Sequence, residues 1–338
     1  MSLLTALIVL SVLSVPDCEI QEASLQDAVS APFCGILGRS LVVSGGAAFP
    51  DKPLVEGGQK KYYDEIWKFR NGKGRLLGRL PDPTAYGASY QVGNTLVFAG
   101  GNASGKTSDK VYKFRRTLFG YRLEPLASLP FPVEQAGYTA DKGILYLAGG
   151  ISPGGSDAVY SCDPAEGTWK RIATLPKPLV QPVAFASNGR LYVWGGYDPS
   201  SGEALSEGWC LDLASGKWTS APGVPDGGTF VGTTGITVGG RLVTVGGVDK
   251  EIFSKAFDYD REERTEYLSR EPSAYKFRKE MYCFDPASGS WSLVLSHDPL
   301  ALAGAGTACR RGTIYVVGGE IKPGVRTDTY HILKRQDT

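Results

Sequence analysis

Six apolar runs of this chain end in a Gly-Gly pair, and that repetition constrains the fold more than any other feature. The runs are Leu41-Val-Val-Ser-Gly45-Gly46, Leu96-Val-Phe-Ala-Gly100-Gly101, Leu145-Tyr-Leu-Ala-Gly149-Gly150, Leu191-Tyr-Val-Trp-Gly195-Gly196, Leu242-Val-Thr-Val-Gly246-Gly247 and Ile314-Tyr-Val-Val-Gly318-Gly319. Their first glycines stand 55, 49, 46, 51 and 72 residues apart. A period near 50 marks an array of equivalent supersecondary units. After most pairs a loop leads to an aromatic strand, as in Glu65-Ile-Trp-Lys-Phe69 and Lys110-Val-Tyr-Lys-Phe114. Three units then repeat the same offsets: Tyr160, Asp163, Gly167, Trp169; Trp209, Asp212, Gly216, Trp218; Tyr282, Asp285, Gly289, Trp291. Asp followed by Gly is hairpin-turn chemistry, and the Tyr and Trp are plates suited to packing between sheets. Paired Gly ends a strand where the backbone turns against a close neighbour. A phosphate cradle is the other common use of such glycines, but no G-x-x-x-x-G-K-[ST] occurs.

The composition agrees with a turn-rich all-β chain. There are 44 Gly and 21 Pro among 338 residues, yet 17 Tyr, 13 Phe and 6 Trp supply a core, which argues against disorder. With 36 basic against 35 acidic residues the net charge is +1, so the basic surface that nucleic acid requires is not expected. Only His297 and His331 are present, which nearly excludes a three-His or two-His-plus-Cys catalytic metal site. None of the six Cys forms a C-x-x-C pair. Cys162, Cys210 and Cys283 fall at matching points of the repeat, too far apart for disulfides, and read as small buried hydrophobes. Cys34 and Cys309 could approach each other if the first and last units meet. Residues 3–15 form an apolar run with the length of a signal-peptide core, too short to span a bilayer. It lacks a positive flank, and a buried N-terminal strand or helix is the alternative. Residues 1–17 are therefore expected to be an export signal, placing the protein in the periplasm or outside the cell, with the cytoplasm as the alternative. No other segment has 18 apolar residues in a row, so no membrane span is expected.

The pattern of residues 18–338 resembles the kelch repeat, which implies one all-β domain: a six-bladed β-propeller of four-stranded blades. The chain ends soon after Tyr330, leaving the sixth blade without an outer strand. Cys18–Ala31 precedes the first inner strand and is expected to supply it, removing exposed edges. The long spacing of 72 comes from 249–280, with nine acidic and eight basic residues and sparse apolar anchors at Phe253, Phe257 and Leu268. It reads as one or two helices inserted in blade five. Such a segment is either a solvated face or the wall of a pocket.

Chemistry is sought in the loops after Gly-Gly, since the fold by itself names no function. Glu320 and Arg326 flank a Pro-Gly turn that can bring both heads into one space. Arg presents a planar fork for a carboxylate, and a desolvated Glu can move protons. The alternative is an exposed loop ion pair worth about 0–1 kcal/mol.

Gly318-Gly-Glu-Ile-Lys-Pro-Gly-Val-Arg-Thr-Asp328 resembles the signature loop of the sialic acid mutarotases (N-acetylneuraminate epimerases). Gly246-Gly-Val-Asp-Lys-Glu-Ile-Phe253 with the following insertion, Gly45-Gly-Ala-Ala-Phe-Pro50 and Ala85-Tyr86-Gly87 are similar to other motifs of that family. The order along the chain differs from the usual one as a cyclic permutation of a closed ring would, which such a ring tolerates. The resemblance implies interconversion of the anomers of a sialic acid or related sugar acid by acid/base ring opening and closure. It maps Glu320 and Arg326 onto the catalytic Glu and Arg, with Arg326 also holding the substrate carboxylate. Gln181 maps onto a family Gln; Lys322, Tyr86 and Phe49 are further substrate-binding candidates. Leu179-Val180 replaces the family's Arg-Asp, and Thr84 stands where an Arg precedes Ala-Tyr-Gly, which puts substrate identity in question. No metal, nucleotide or redox cofactor is implied, and the partner is a small sugar acid; a homodimer stays open. The competing reading is a non-catalytic kelch propeller that binds a protein or carbohydrate through its loops.

Overall fold

The computed structural model describes residues 18–335; residues 1–17, where the export signal is expected, lie outside the described residues, as do 336–338. Described strands pair antiparallel into six four-stranded sheets with short accessory hairpins between them. Sheet I is Phe33–Leu37, Ser40–Ser44, Glu65–Arg70 and Lys73–Arg79; sheet II is Ala88–Val92, Thr95–Ala99, Val111–Thr117 and Gly120–Pro125. Sheet III is Gly137–Asp141, Ile144–Ala148, Ala158–Asp163 and Thr168–Thr174; sheet IV is Val183–Ser187, Arg190–Trp194, Gly208–Asp212 and Lys217–Ala221. Sheet V is Thr234–Val238, Arg241–Val245, Glu280–Asp285 and Ser290–Ser296. Sheet VI has Gly306–Arg310, Thr313–Val317 and Thr329–Arg335, and its fourth strand is Cys18–Ser24, paired Cys18 to Arg335 through Ser24 to Thr329. The N-terminal segment thus fills the edge that the repeat count leaves open.

The first strands of the sheets touch in cyclic order: I with II, II with III, and on through VI, whose Gly306–Arg310 lies against Phe33–Leu37. Buried clusters fill the gaps between neighbouring sheets. Leu96, Phe98 and Phe33 join I to II, and Val317, Tyr330 and Phe69 join VI to I. The repeated aromatics sit at these seams, as expected: Trp291 packs edge-on against Trp194 of the preceding sheet at 5.1 Å, and Trp218 Nε1 donates to the Thr174 carbonyl of sheet III. All six cysteines are unpaired thiols; Cys162, Cys210 and Cys283 are buried, and burial pushes the Cys283 thiol up to about 11. Cys34 abuts sheet VI at Gly306, and neither it nor Cys309 is in a disulfide.

Five of the six Gly-Gly pairs share one physical cause; at Gly195 the close neighbour is Phe230 N instead. Gly45 has φ +64°, and a Cβ there would stand 2.1 Å from the Thr84 carbonyl oxygen of the next sheet's entry loop; at Gly318 the clash is 2.3 Å with Val29 O. The second glycine donates its N–H to that same carbonyl, Gly46 to Thr84 and Gly319 to Val29. Gly45→Ala is expected to cost roughly 2–3 kcal/mol of stability through strain and displaced backbone. Gly38→Ala is the control, because Gly38 has φ +64° with nothing within 4 Å. Equal losses of thermal midpoint in the two variants would show that close approach is not what demands glycine.

A second ring runs inside the first. Ala31, Tyr86, Gln135, Gln181, Gly232 and Gly304 each precede a first strand and each have positive φ, between 50° and 69°. Ala31 N–H donates to Gly304 O, Tyr86 to Ala31, Gln135 to Tyr86, Gln181 to Gln135 and Gly304 to Gly232. The remaining link, from Gly232 N–H, goes to the Gln181 side chain at 2.9 Å. The N–H groups of these six turns are thereby satisfied.

Between Val245 and Glu280 lie helices α1 (Lys250–Lys255) and α2 (Arg261–Ser269). Asp249 caps α1, and Asp260 with Glu263 forms a capping box on α2, which lets short charged helices form. Ser254 Oγ accepts the Ala204 N–H of sheet IV's loop, and Phe257 packs over Gly202. No helix among the described residues is long and apolar enough to cross a membrane.

Candidate functional site

The centre of the ring opens into a cavity of about 560 Å³, within the range of small-molecule sites, lined by entry segments of all six sheets. Glu320–Lys322 and Val325–Arg326 form a hairpin at its rim, turning at Pro323-Gly324, where Gly324 takes φ +83°. Glu320 pairs directly with Arg326 across this hairpin. Six positions in sequence therefore become neighbours in space, as the Pro-Gly turn suggested.

Arg326 Nη2 lies 2.6 Å from Glu320 Oε1, Nε donates to Ser30 Oγ at 3.2 Å, and the guanidinium lies over the Phe49 ring at 4.7 Å. The Arg326 side chain is 4% exposed and that of Glu320 23%. A solvent-screened loop pair is therefore not what the structure contains. Arg326 Nη1 is buried with no hydrogen-bond partner among the described residues, an arrangement that costs about 1–3 kcal/mol or more unless an acceptor arrives. Burial pushes the Glu320 carboxyl above its usual range, while Arg326, the Gly324 N–H and Lys60 pull against it.

Phe49, Tyr86 and Gln181 all line the cavity with Glu320 and Arg326. Lys322 does not: its ammonium donates to the Arg270 carbonyl at 2.8 Å, tying the hairpin to the end of α2. Strand alternation puts residues 320 and 322 on one face, but the hairpin register shifts between them, so Lys322 leaves the cavity side. Leu179, Val180 and Thr84 are buried outside the lining; Val180 bridges Tyr197, and Thr84 Oγ1 donates to Asp82 O. None of the three side chains contributes to the cavity lining.

Residues that sequence reasoning did not single out complete the site. Lys60 Nζ lies 3.4 Å from Tyr86 Oη and over the Tyr86 ring at 5.1 Å. Arg264 and Tyr267 of α2 also line the cavity, and burial pushes the Tyr267 hydroxyl up to about 12. Gln135 accepts from Gln181 Nε2 at 2.7 Å. Its signal was available: it stands fourteen residues before Gly149, as Gln181 stands fourteen before Gly195. Phe253, Phe257, Leu268, Val231 and Val248 make an apolar wall, with the Tyr197 ring tilted against both phenylalanines at 5.4 and 5.3 Å. The segment 249–280 is thus a wall of the pocket rather than only a solvated face. One side of the cavity can hold an anion and move protons; the other can accept apolar substituents.

Comparison with known proteins gives one family and several relatives. A family model described as N-acetylneuraminate epimerase matches residues 127–338. A Yersinia enterocolitica protein named N-acetylneuraminate epimerase is 31% identical over 283 residues, 77% of this chain and 58% of that protein. Proteins of the same name from Brucella melitensis and Vibrio vulnificus are 33% identical over 116 residues (29% of each chain) and 34% over 97 residues (26% of this chain, 25% of the other). The chain spans between 25% and 58% of the length of these curated relatives.

Proposed function

The chain belongs to the N-acetylneuraminate epimerase family, and from that premise we propose that it interconverts the anomers of N-acetylneuraminate or a closely related sugar acid. The observation that carries the reading is Arg326: a buried guanidinium in a cavity wall, oriented by Glu320, Ser30 and Phe49, with Nη1 unpartnered among the described residues. That group suits a carboxylate attached to the anomeric carbon, held by charge-assisted hydrogen bonds.

With the carboxylate so placed, Glu320 takes the proton of the anomeric hydroxyl. That oxygen becomes the keto oxygen as the bond from the anomeric carbon to the ring oxygen breaks. The ring oxygen receives a proton, from the carboxyl through water or from water itself. Rotation about the bond next to the keto carbon presents its other face, and the same steps in reverse close the ring. One acid/base group can serve both directions. Because anomers exchange spontaneously, the required lowering of the barrier is modest.

We read the six sheets as blades of a kelch-type β-propeller, with 249–280 inserted in the fifth. The family motifs then follow a permuted order, and sheet VI supports that reading because Cys18–Ser24 pairs there with Thr329–Arg335. We also propose export to the periplasm or beyond, from the apolar run at residues 3–15.

The direct test is NMR of freshly released α-anomer. Micromolar protein is expected to bring it to equilibrium far faster than buffer; an unchanged exchange rate would reject the enzymatic reading. The pH profile is a second check. A carboxylate base loses activity as pH falls through its pKa, and burial raises that of Glu320. The acid limb of kcat/KM is therefore expected above 4.5. A limb at or below 4.5 would assign the base elsewhere. Lys60→Met is expected to raise KM roughly three- to tenfold with little change in kcat, because an ammonium at the rim contributes about 1 kcal/mol to holding an anion.

A further inference from the structure

The chemistry proposed above leaves Gln135 unused, and the geometry points to it as the residue that donates to an acceptor oxygen of the substrate, with Gln181 as a positioning residue that fixes which end of its amide faces the cavity. This rests on the reading of the cavity as a sugar-acid site.

Orientation starts from the backbone. The Gly232 N–H can only donate, and it points at Gln181 Oε1 at 2.9 Å. That pins the Gln181 amide, which could otherwise be turned end for end. Its Nε2 is therefore the donor to Gln135, at 2.7 Å, and Gln135 must answer with Oε1. Once its oxygen is committed, the other end of the Gln135 amide is a pair of N–H donors with no protein partner among the described residues. Gln135 lines the cavity, on the same rim as Gln181 and Tyr86. A donor-only amide suits a carboxylate, hydroxyl or acyl oxygen and disfavours another donor.

The inner ring explains why position 181 carries this task. Gln181 is the one link at which a side-chain oxygen replaces the main-chain carbonyl as acceptor for the next N–H. Its amide is thus held by the fold itself.

Kinetics at pH 8 test the assignment. Gln135→Ala is expected to raise KM about three- to tenfold, the worth of one hydrogen bond, with kcat changed less. Gln181→Glu is expected to raise KM at least as much. The introduced carboxylate accepts from both Gly232 N–H and Gln135 Nε2, so the Gln135 amide turns and offers its oxygen to the substrate oxygen. Adding Gln135→Ala to Gln181→Glu is expected to raise KM no further than Gln181→Glu alone, since the amide that it removes no longer donates there. A wild-type KM for Gln181→Glu, or penalties that multiply in the double variant, would overturn the proposal. Should Gln181→Glu not fold, Gln135→Glu replaces it: its free carboxylate oxygen would face an anion, and a KM no higher than that of Gln135→Ala would overturn the assignment.

A readout without substrate separates this inference from the functional reading. In protein labelled with side-chain ¹⁵N glutamine, the Gln135 amide protons, identified by their loss in Gln135→Ala, are expected to exchange freely with solvent in the wild type. They are expected to become protected in Gln181→Glu. Unaltered exchange overturns the relay even if the protein is active. Absence of anomer exchange in the wild type with the expected change in protection rejects the substrate and keeps the amide orientation.

Discussion

Glu320→Gln is expected to slow enzyme-dependent anomer exchange by about 10²–10⁴-fold, the usual contribution of a positioned acid/base group. Gln keeps the shape of the side chain, and its carbonyl oxygen can still accept from Arg326 Nη2, now 2.6 Å from Glu320 Oε1. It cannot take up a proton. Substrate binding should therefore persist, with KM unchanged or lowered, because the guanidinium no longer divides its charge between Glu320 and the incoming carboxylate. The free protein should lose stability. Removing one partner of a buried pair costs about 3–5 kcal/mol, and less where, as with Glu320 at 23% exposure, one partner keeps some water. Saturating substrate is then expected to restore much of the thermal midpoint, since its carboxylate replaces the missing charge. The decisive comparison is kcat by NMR exchange in wild type and variant at one pH. Retention of full kcat removes Glu320 from the proton-transfer steps, whatever happens to stability.

Arg326→Ala has the other large expected effect, a KM raised about 10²-fold or more, because losing a desolvated charge-assisted partner costs about 2–5 kcal/mol. The loss acts twice. The substrate carboxylate forfeits its holder, and Glu320 forfeits the positive charge that opposes its upward shift. The acid limb of kcat/KM should therefore move to higher pH than in the wild type. Arg326→Lys is expected to recover little, since a single ammonium cannot reach Ser30, Glu320 and a ligand at once while lying flat on Phe49. An unchanged KM in Arg326→Ala would refute the carboxylate holder, and an unmoved limb would show that Glu320 titrates independently of it.

Much of the architecture was legible because it follows from local chemistry repeated six times. Gly45, Gly318 and their equivalents announce a left-handed backbone pressed against a neighbouring stretch of backbone. Asp-to-Gly turns followed by Trp announce the outer hairpins. The Glu320/Arg326 contact was legible for a similar reason, since Pro323-Gly324 is a turn whose flanks must pair. Lys322 was assigned to the cavity because period-two alternation puts it beside Glu320, and a register shift inside a three-residue strand reversed that. Lys60, Arg264 and Gln135 carried no local signal of comparable strength. Each reaches the cavity from a different segment of the chain, on a loop, a helix and an entry turn respectively.

By itself the amino-acid order determined the repeat, the antiparallel sheets, the completion of the last sheet by Cys18–Ser24 and the pairing of an acid with a guanidinium. Each depends on residues close in sequence or on counting units. Only the tertiary structure decided that this pair is desolvated, that Arg326 keeps a buried N–H to offer, that α1 and α2 wall the cavity, and which end of the Gln135 amide is free. Those properties arise where segments far apart in sequence converge and exclude water, and neither burial nor the direction of a side chain is encoded at any one position.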